Sequence, residues 1–246
     1  MSTNFAFLVL EEHPYGREML KKLLEHNLTP SVIIQEVSKV AEKERCKFLR
    51  RQEGQPTAPF ISTMIKDLDI PCLSVTQHNK DERCRASLEE YQPDLVVLGG
   101  TRIIREPTIS YKARNGFVNV HPGLLPWLRG SASIGWALYK DMKMGSTVHF
   151  IDANIDTGDI ILREELPVYR DDTYESLSYR VSLLSAKLMT DVVRIIDRGG
   201  EVPIIPQEEG EEALRVIPDD LLAEGIARLR EGRYSHYSDL SEEGTE

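Results

Sequence analysis

Two short segments of the chain carry side chains able to do chemistry. The stretch GFVNVHPGLLPWLRG, residues 116–130, sets an amide, Asn119, two residues before an imidazole, His121, in an apolar run that breaks at Pro122-Gly123. In an extended strand alternate side chains share a face, so Asn119 and His121 point one way while Val118 and Val120 point the other. An amide N–H can stabilise an oxygen that turns negative, and an imidazole moves protons near neutral pH. The second stretch, GSTVHFIDANIDTGDII, residues 145–161, supplies Asp152, Asp156 and Asp159 in or beside a glycine turn. A carboxylate next to an imidazole can orient it and strengthen it as a base. The combination suits general acid–base catalysis with oxyanion stabilisation. Spacing alone leaves a plainer reading open: polar residues at strand ends bond loop backbone, and Asp in a glycine turn bonds its own.

These groups must be positioned by the elements around them. FAFLVL (5–10) and PDLVVLGG (93–100) are short continuous apolar runs, as expected of strands buried on both faces of a parallel sheet. Between them, GREMLKKLLEHNL repeats apolar residues at helical spacing, PSVIIQE reads as a second strand and IPCLSVT as a third, and KDERCRASLEEY reads as a helix. Residues 39–66 read as two helices joined by a flexible link at EGQPTAP. A short helix near 107–113, the strand GFVNV and a helix through SASIGWALYKD follow. GSTVHFID and DIILREELPV, split by the turn ANIDTG, read as an antiparallel pair, and a long amphipathic helix spans about 174–198. This alternation predicts an α/β, Rossmann-like, doubly wound and mostly parallel sheet with an antiparallel edge pair. His121 then stands at the carboxyl end of a strand, where open α/β sheets bind ligands.

Composition bounds the function classes. At 246 residues, 41% apolar and 28% charged, the chain reads as an ordinary globular protein with one main core. A net charge of −10 offers no general electrostatic footprint for nucleic acid. Cys46, Cys72 and Cys84 show no CxxC spacing and fit a reducing cytoplasm. The amino terminus lacks a basic n-region and its apolar run is too short to span a bilayer, so the expected location is cytoplasmic, with no membrane partner. A shared metal on His121, His149, Asp152 and Asp156 is disfavoured, since His149 and Asp152 are three apart on a strand and face opposite ways. No metal is expected.

NVHPGLLPWLRG followed by GSTVHFIDANIDTGDII resembles the formyltransferase family that uses 10-formyltetrahydrofolate. The pattern is Asn-x-His, then Leu-Leu-Pro, then an Asp in an xDTG-like loop about 35 residues beyond the His. The resemblance implies that Asn119, His121 and Asp156 are catalytic, and that residues 1–200 form the catalytic domain. Residues 201–246 then form an acidic carboxyl-terminal arm with a short helix and a disordered end. Formyl transfer to an amine needs a donor for the developing oxyanion and a group that moves protons between the two nitrogens. Asn119 suits the oxyanion, His121 both tasks, and Asp156 the orientation of His121 and the handling of protons. The family's pterin loop corresponds to GGTRIIREP, which makes Arg102, Ile103 and Ile104, with Asp152 across from them, the candidate folate contacts.

Departures from the family pattern bear on the acceptor. EEHPYGRE stands where a glycinamide ribonucleotide transformylase carries a glycine-rich phosphate loop, and Glu11 and Glu12 are expected to repel a phosphate there. A short acidic tail stands where methionyl-tRNA formyltransferases carry a further domain. Gly123 stands in place of a common Ser. The remaining expectation is a small-molecule amine, with nucleotide-linked amino sugars the best match, and with His13, Tyr15, Gly123, Trp127 and Arg129 as candidate acceptor contacts. A homodimer is one assembly open to the chain. The alternatives are a 10-formyltetrahydrofolate hydrolase, either of the two transferases just named, and a non-catalytic folate-binding module.

Overall fold

The structure, a computed structural model, describes residues 3–208 and 212–238. The carboxyl-terminal end expected to be disordered, from 239 on, lies outside the described residues. Phe5–Leu10 (β1), Val32–Glu36 (β2), Cys72–Val75 (β3), Leu95–Leu98 (β4) and Phe117–His121 (β5) run parallel. Gly145–Phe150 (β6) and Ile160–Glu165 (β7) extend the sheet antiparallel, in the order β3-β2-β1-β4-β5-β6-β7. This is the mostly parallel, doubly wound sheet with an antiparallel edge that the sequence predicts.

Strand alternation explains the two cores. Phe5, Phe7 and Val9 pack with Met19 and Leu20 of Pro14–Glu25 (α1) and with Tyr174–Asp197 (α6), while Ala6 and Leu8 pack with Cys84 and Leu88 of Glu82–Tyr91 (α4). Both faces of β1 are thereby removed from water, which is the largest stabilising contribution available to such a strand. Helix starts follow side-chain chemistry: Pro14 opens α1, Ser38 Oγ accepts from Ala41 N at the start of Lys39–Arg51 (α2), and Thr173 with Ser176 forms a capping box on the long helix. Lys39–Arg51 and Ile61–Met64 (α3) are the two helices expected around the EGQPTAP link.

The strand order reverses between β1 and β4, and open α/β sheets bind ligands at the carboxyl ends of the strands beside such a switch. Beyond Gly200 the chain crosses back over the body. Isolated bridges join Ile205 to Ile160 and Leu214 to Gly130, and Asp219–Arg230 (α7) packs on Ser133–Lys140 (α5), where Gly225 lies against Leu138 and Tyr139. No helix among the described residues is long and apolar enough to cross a membrane.

Candidate active site

Four polar side chains meet where β5, β6 and the loop after β6 converge. Asn119 and His121 share a face of β5, and the antiparallel register sets Asn119 opposite His149. His121 Nδ1 lies 3.3 Å from Asp156 Oδ2, and His149 Nε2 lies 3.6 Å from Asp156 Oδ1. Asn119 Nδ2 lies 3.1 Å from His149 Nε2. Asp156 is held in turn, with Oδ2 accepting from Gly130 N at 2.9 Å and its backbone at a φ of 54°, a left-handed conformation that Asp tolerates. Gly130 has a φ of +94°, and a Cβ there would meet Leu214 O at 2.2 Å, so only glycine lets this amide reach the carboxylate.

Hydrogen bonding decides where the protons sit. His149 Nδ1 is 2.7 Å from the Phe150 carbonyl, which can only accept, so Nδ1 carries the proton. Burial pushes the His149 pKa down, against the pull of the Asp156 charge, and the neutral ring leaves Nε2 as an acceptor. Asn119 therefore turns its NH2 rather than its carbonyl toward His149, and its second N–H has no partner among the described residues. His121 Nε2 lies 2.6 Å from Leu128 O and 3.1 Å from Ser133 Oγ, so it donates into the protein. Its Nδ1 faces Asp156 Oδ2 at 3.3 Å, the geometry across which a proton can pass between ring and carboxylate. The sequence expectation that His121 itself touches the oxyanion is thus revised, because neither ring nitrogen is free in this arrangement.

Two hollows meet over these residues. One, of about 570 Å³, is lined by Ile103, Ile104, Ile155 and Leu214 with Asn119, His121, His149 and Asp156 at its polar end. The other, of about 830 Å³, runs from Asn119 across the β1–β4 switch past His13, Tyr15 and Phe48 of α2. Asn119, Arg102 and Ser131 line both. Arg102 is held 3.7 Å from Glu36 Oε1; burial works against that carboxylate's charge, yet hydrogen bonds from His78 and Ser38 keep it below its usual range.

The remaining candidates divide. Arg102, Ile103, Ile104 and Asp152 line the smaller hollow, although both Asp152 oxygens accept from Thr157 Oγ1 and so organise the loop. His13 and Tyr15 line the larger one. Tyr15 Oη donates to Val120 O at 2.9 Å and fixes the strand beside Asn119. Trp127 and Arg129 line neither hollow. Trp127 lies exposed under the Arg163 guanidinium at 4.7 Å, and Arg129 is buried against Gln207 and Glu208 of the segment beyond Gly200. Gly123 also lines neither; a Cβ there would meet His121 Nε2 at 2.8 Å and Ser133 Cβ at 3.0 Å. Glu11 and Glu12 are likewise spent elsewhere. Glu11 lies 3.6 Å from Arg45, Glu12 accepts from Ile61 N at 2.7 Å, and neither lines either hollow.

A sequence profile described as formyl transferase matches residues 3–193. The chain belongs to the formyl transferase family. Among its relatives in that family, the methionyl-tRNA formyltransferase of Koribacter versatilis (strain Ellin345) is 36% identical over 152 residues, covering 61% of this chain and 48% of the relative. The chain spans about half the length of the curated relatives it matches. Solved structures share the family fold at lower identity. Phosphoribosylglycinamide formyltransferase from Anaplasma phagocytophilum superposes with a TM-score of 0.64 at 23% identity, covering 86% of this chain and 100% of that one. The formyltransferase PseJ from Anoxybacillus kamchatkensis, solved with UDP-4,6-dideoxy-4-formamido-L-AltNAc and tetrahydrofolate, gives 0.55 at 20% identity, covering 92% and 97%.

Sequence reasoning passed over His149 as a partner of Asn119, having weighed it only as a metal ligand. The signal was present in GSTVHF. Pairing that strand antiparallel with GFVNV, rather than only with DIILREE, puts the histidine across from the amide. Ser133, against His121 Nε2, carried no sequence signal of its own.

Proposed function

We propose that the chain is an N-formyltransferase that moves a formyl group from 10-formyltetrahydrofolate to a primary amine of a small molecule, with nucleotide-linked amino sugars the first acceptors to examine. The observation that carries this reading is the Asn119–His149–Asp156–His121 cluster at the junction of two hollows, one for each reactant. The smaller hollow suits a folate: its volume of about 570 Å³ is of ligand size, isoleucines offer flat apolar walls, and the polar groups gather at one end. Arg102, Ile103 and Ile104 would hold the ring system there. When bound, the folate supplies a formyl group on a nitrogen that leaves as an amine.

The residues of the chain do the rest. As an amine adds, the second Asn119 N–H donates to the oxygen that turns negative, a contribution of about 3 kcal/mol for a well-placed donor. His149 keeps that amide facing the right way. The Asp156 carboxylate, oriented by His121 and lining the smaller hollow, takes a proton from the incoming nitrogen and returns it to the departing nitrogen. Ser133 and the Leu128 carbonyl fix the ring at its far side. Residues 1–200 are proposed to be the catalytic unit and 201–246 an arm, of which Leu214 and Val216 line the smaller hollow.

The test is a panel of amines offered with 10-formyltetrahydrofolate and read by mass spectrometry for a formyl addition. Nucleotide-linked amino sugars and methionyl-tRNA belong in the panel. Formylation of a small amine supports the proposal. Consumption of the donor at the same rate with no amine present would make the protein a hydrolase instead.

A further inference from the structure

The segment beyond Gly200 is bonded into the loop that carries Asp156. Gln207 Nε2 donates to Asp156 O at 3.0 Å and to Gly158 O at 2.6 Å, so one side-chain amide holds the backbone on which the Asp156 carboxylate is mounted. Gln207 Oε1 accepts from Arg129 Nε at 3.2 Å and from Arg129 Nη2 at 2.8 Å. A guanidinium only donates and a backbone carbonyl only accepts, so the orientation of this amide is fixed from both sides. Arg129 is 9% exposed and also donates to Glu208 O at 3.3 Å. A buried cation held by amide and carbonyl oxygens bonds them more strongly than a neutral donor would, and losing them leaves a buried charge unmatched.

These bonds close a ring. Asp156 Oδ2 accepts from Gly130 N, Gly130 follows Arg129 in the chain, Arg129 holds Gln207, and Gln207 holds the Asp156 carbonyl. Leu214 braces the ring, its N donating to Arg129 O at 2.9 Å and its O accepting from Ser131 N at 2.8 Å. Asp156 is thereby fixed at side chain and main chain together. Its φ of 54° lies where a residue with a Cβ is disfavoured and stays only if the surroundings impose it. Gln207 lines neither hollow, so its influence on the chemistry must run through Asp156. It also stands beyond residues 3–193, the part of the chain that the family profile matches.

Resting on the transferase reading, we infer that Gln207, held by Arg129, is a positioning residue for formyl transfer: it sets the Asp156 carboxylate against His121, and the arm beyond Gly200 takes part in catalysis without touching the reacting atoms. A misplacement of about 1 Å in a reacting group can cost about 10²-fold in rate.

Gln207→Glu in the full chain separates positioning from simple anchorage. The carboxylate keeps both acceptor contacts to Arg129 and adds an ion pair, but has no N–H for the Asp156 and Gly158 carbonyls. Expected are a melt within a few degrees of wild type, a kcat lower by about 10–10²-fold and a KM for 10-formyltetrahydrofolate within about twofold. Asp156→Asn combined with Gln207→Glu is expected to be no slower than Asp156→Asn alone, because residues acting as one unit do not add. Arg129→Lys should retain more of kcat than Arg129→Ala. Nitrogen-15 spectra of the histidine rings read the same geometry without turnover: Gln207→Glu and Asp156→Asn are expected to shift the His121 signals in the same sense and to leave those of His236, whose Nε2 meets Asp141 O, in place. Wild-type kcat in Gln207→Glu, losses that multiply in the double variant, or unmoved His121 signals overturn the inference. A KM that rises in step with the fall in kcat overturns it too, since Leu214 and Val216 would then have left the smaller hollow and Gln207 would be an anchor only. Shifted His121 signals in a protein that transfers no formyl group would keep the coupling of Gln207 to Asp156 and remove the transferase reading.

Discussion

Asp156→Asn changes one charge at the centre of the cluster and keeps its shape. The carboxylate has three neighbours: Gly130 N at 2.9 Å, His121 Nδ1 at 3.3 Å and His149 Nε2 at 3.6 Å. An Asn carbonyl can still accept from Gly130, so the loop stays tied and the stability change is limited to about 1 kcal/mol, a lowering of Tm by a few degrees. The chemistry fares differently. A neutral amide cannot share a proton with His121 Nδ1 or hold a positive charge beside it, and removal of a positioned proton-transfer group typically costs 10²–10⁴-fold. The expected fall in kcat is therefore about 10³-fold, close to 4 kcal/mol of barrier, with little change in KM for either reactant. The assay is steady-state release of tetrahydrofolate with a saturating amine, run beside a thermal melt. A variant that melts within a few degrees of wild type and retains turnover within about threefold would refute the assignment of Asp156 to proton transfer.

Other expectations follow from the same geometry. Asn119→Ala should lower kcat by about 10²–10³-fold through loss of the oxyanion donor, and should also reduce stability by about 1–3 kcal/mol because His149 Nε2 is left buried and unpaired; steady-state kinetics and urea unfolding read the two separately. Gly123→Ser should not restore a missing hydroxyl but should harm the protein, since the added Cβ would meet His121 Nε2 at 2.8 Å; the cost expected is about 1–3 kcal/mol with a fall in kcat, and an unchanged melt with full activity would count against the packing described around His121. His13 has its pKa lowered from 6.5 to about 4, with desolvation by burial the main cause. The unfolded chain then binds this proton first, so stability is full above pH 6.5, falls as pH drops toward 4 and is level below that. The loss is on the order of 3 kcal/mol, and in urea titrations at pH 7 and pH 4.5 His13→Gln should show a smaller drop than wild type. Identical drops in the two proteins would remove His13 as the source.

What could be read from the sequence was set by local rules. The period of two along GFVNVH puts Asn119 and His121 on one face, and the continuous apolar run of FAFLVL marks a strand buried on both sides. Both features depend on neighbours in the chain, and the structure contains both. Asp156 came from family likeness, and the loop does bring it to His121. The features that were not legible depend on where loops travel. Trp127 and Arg129 follow a recognisable motif, but Trp127 lies exposed under Arg163 and Arg129 is buried against Gln207. Glu11 and Glu12 stand before α1 in sequence, but Arg45 and the start of α3 hold them away from both hollows. The larger hollow was invisible for the same reason, since its lining comes from α2 and from the loops after β1, β3 and β4, which are far apart in sequence.

The central claim is that the Asn119–His149–Asp156–His121 cluster transfers a formyl group to an amine rather than to water. The most direct measurement follows tetrahydrofolate released and formylated amine formed in the same reaction, with and without the amine. The account predicts equal amounts of the two products and negligible release when the amine is left out. Release that proceeds at the same rate without an amine, or product that still forms after His121→Ala, would contradict it.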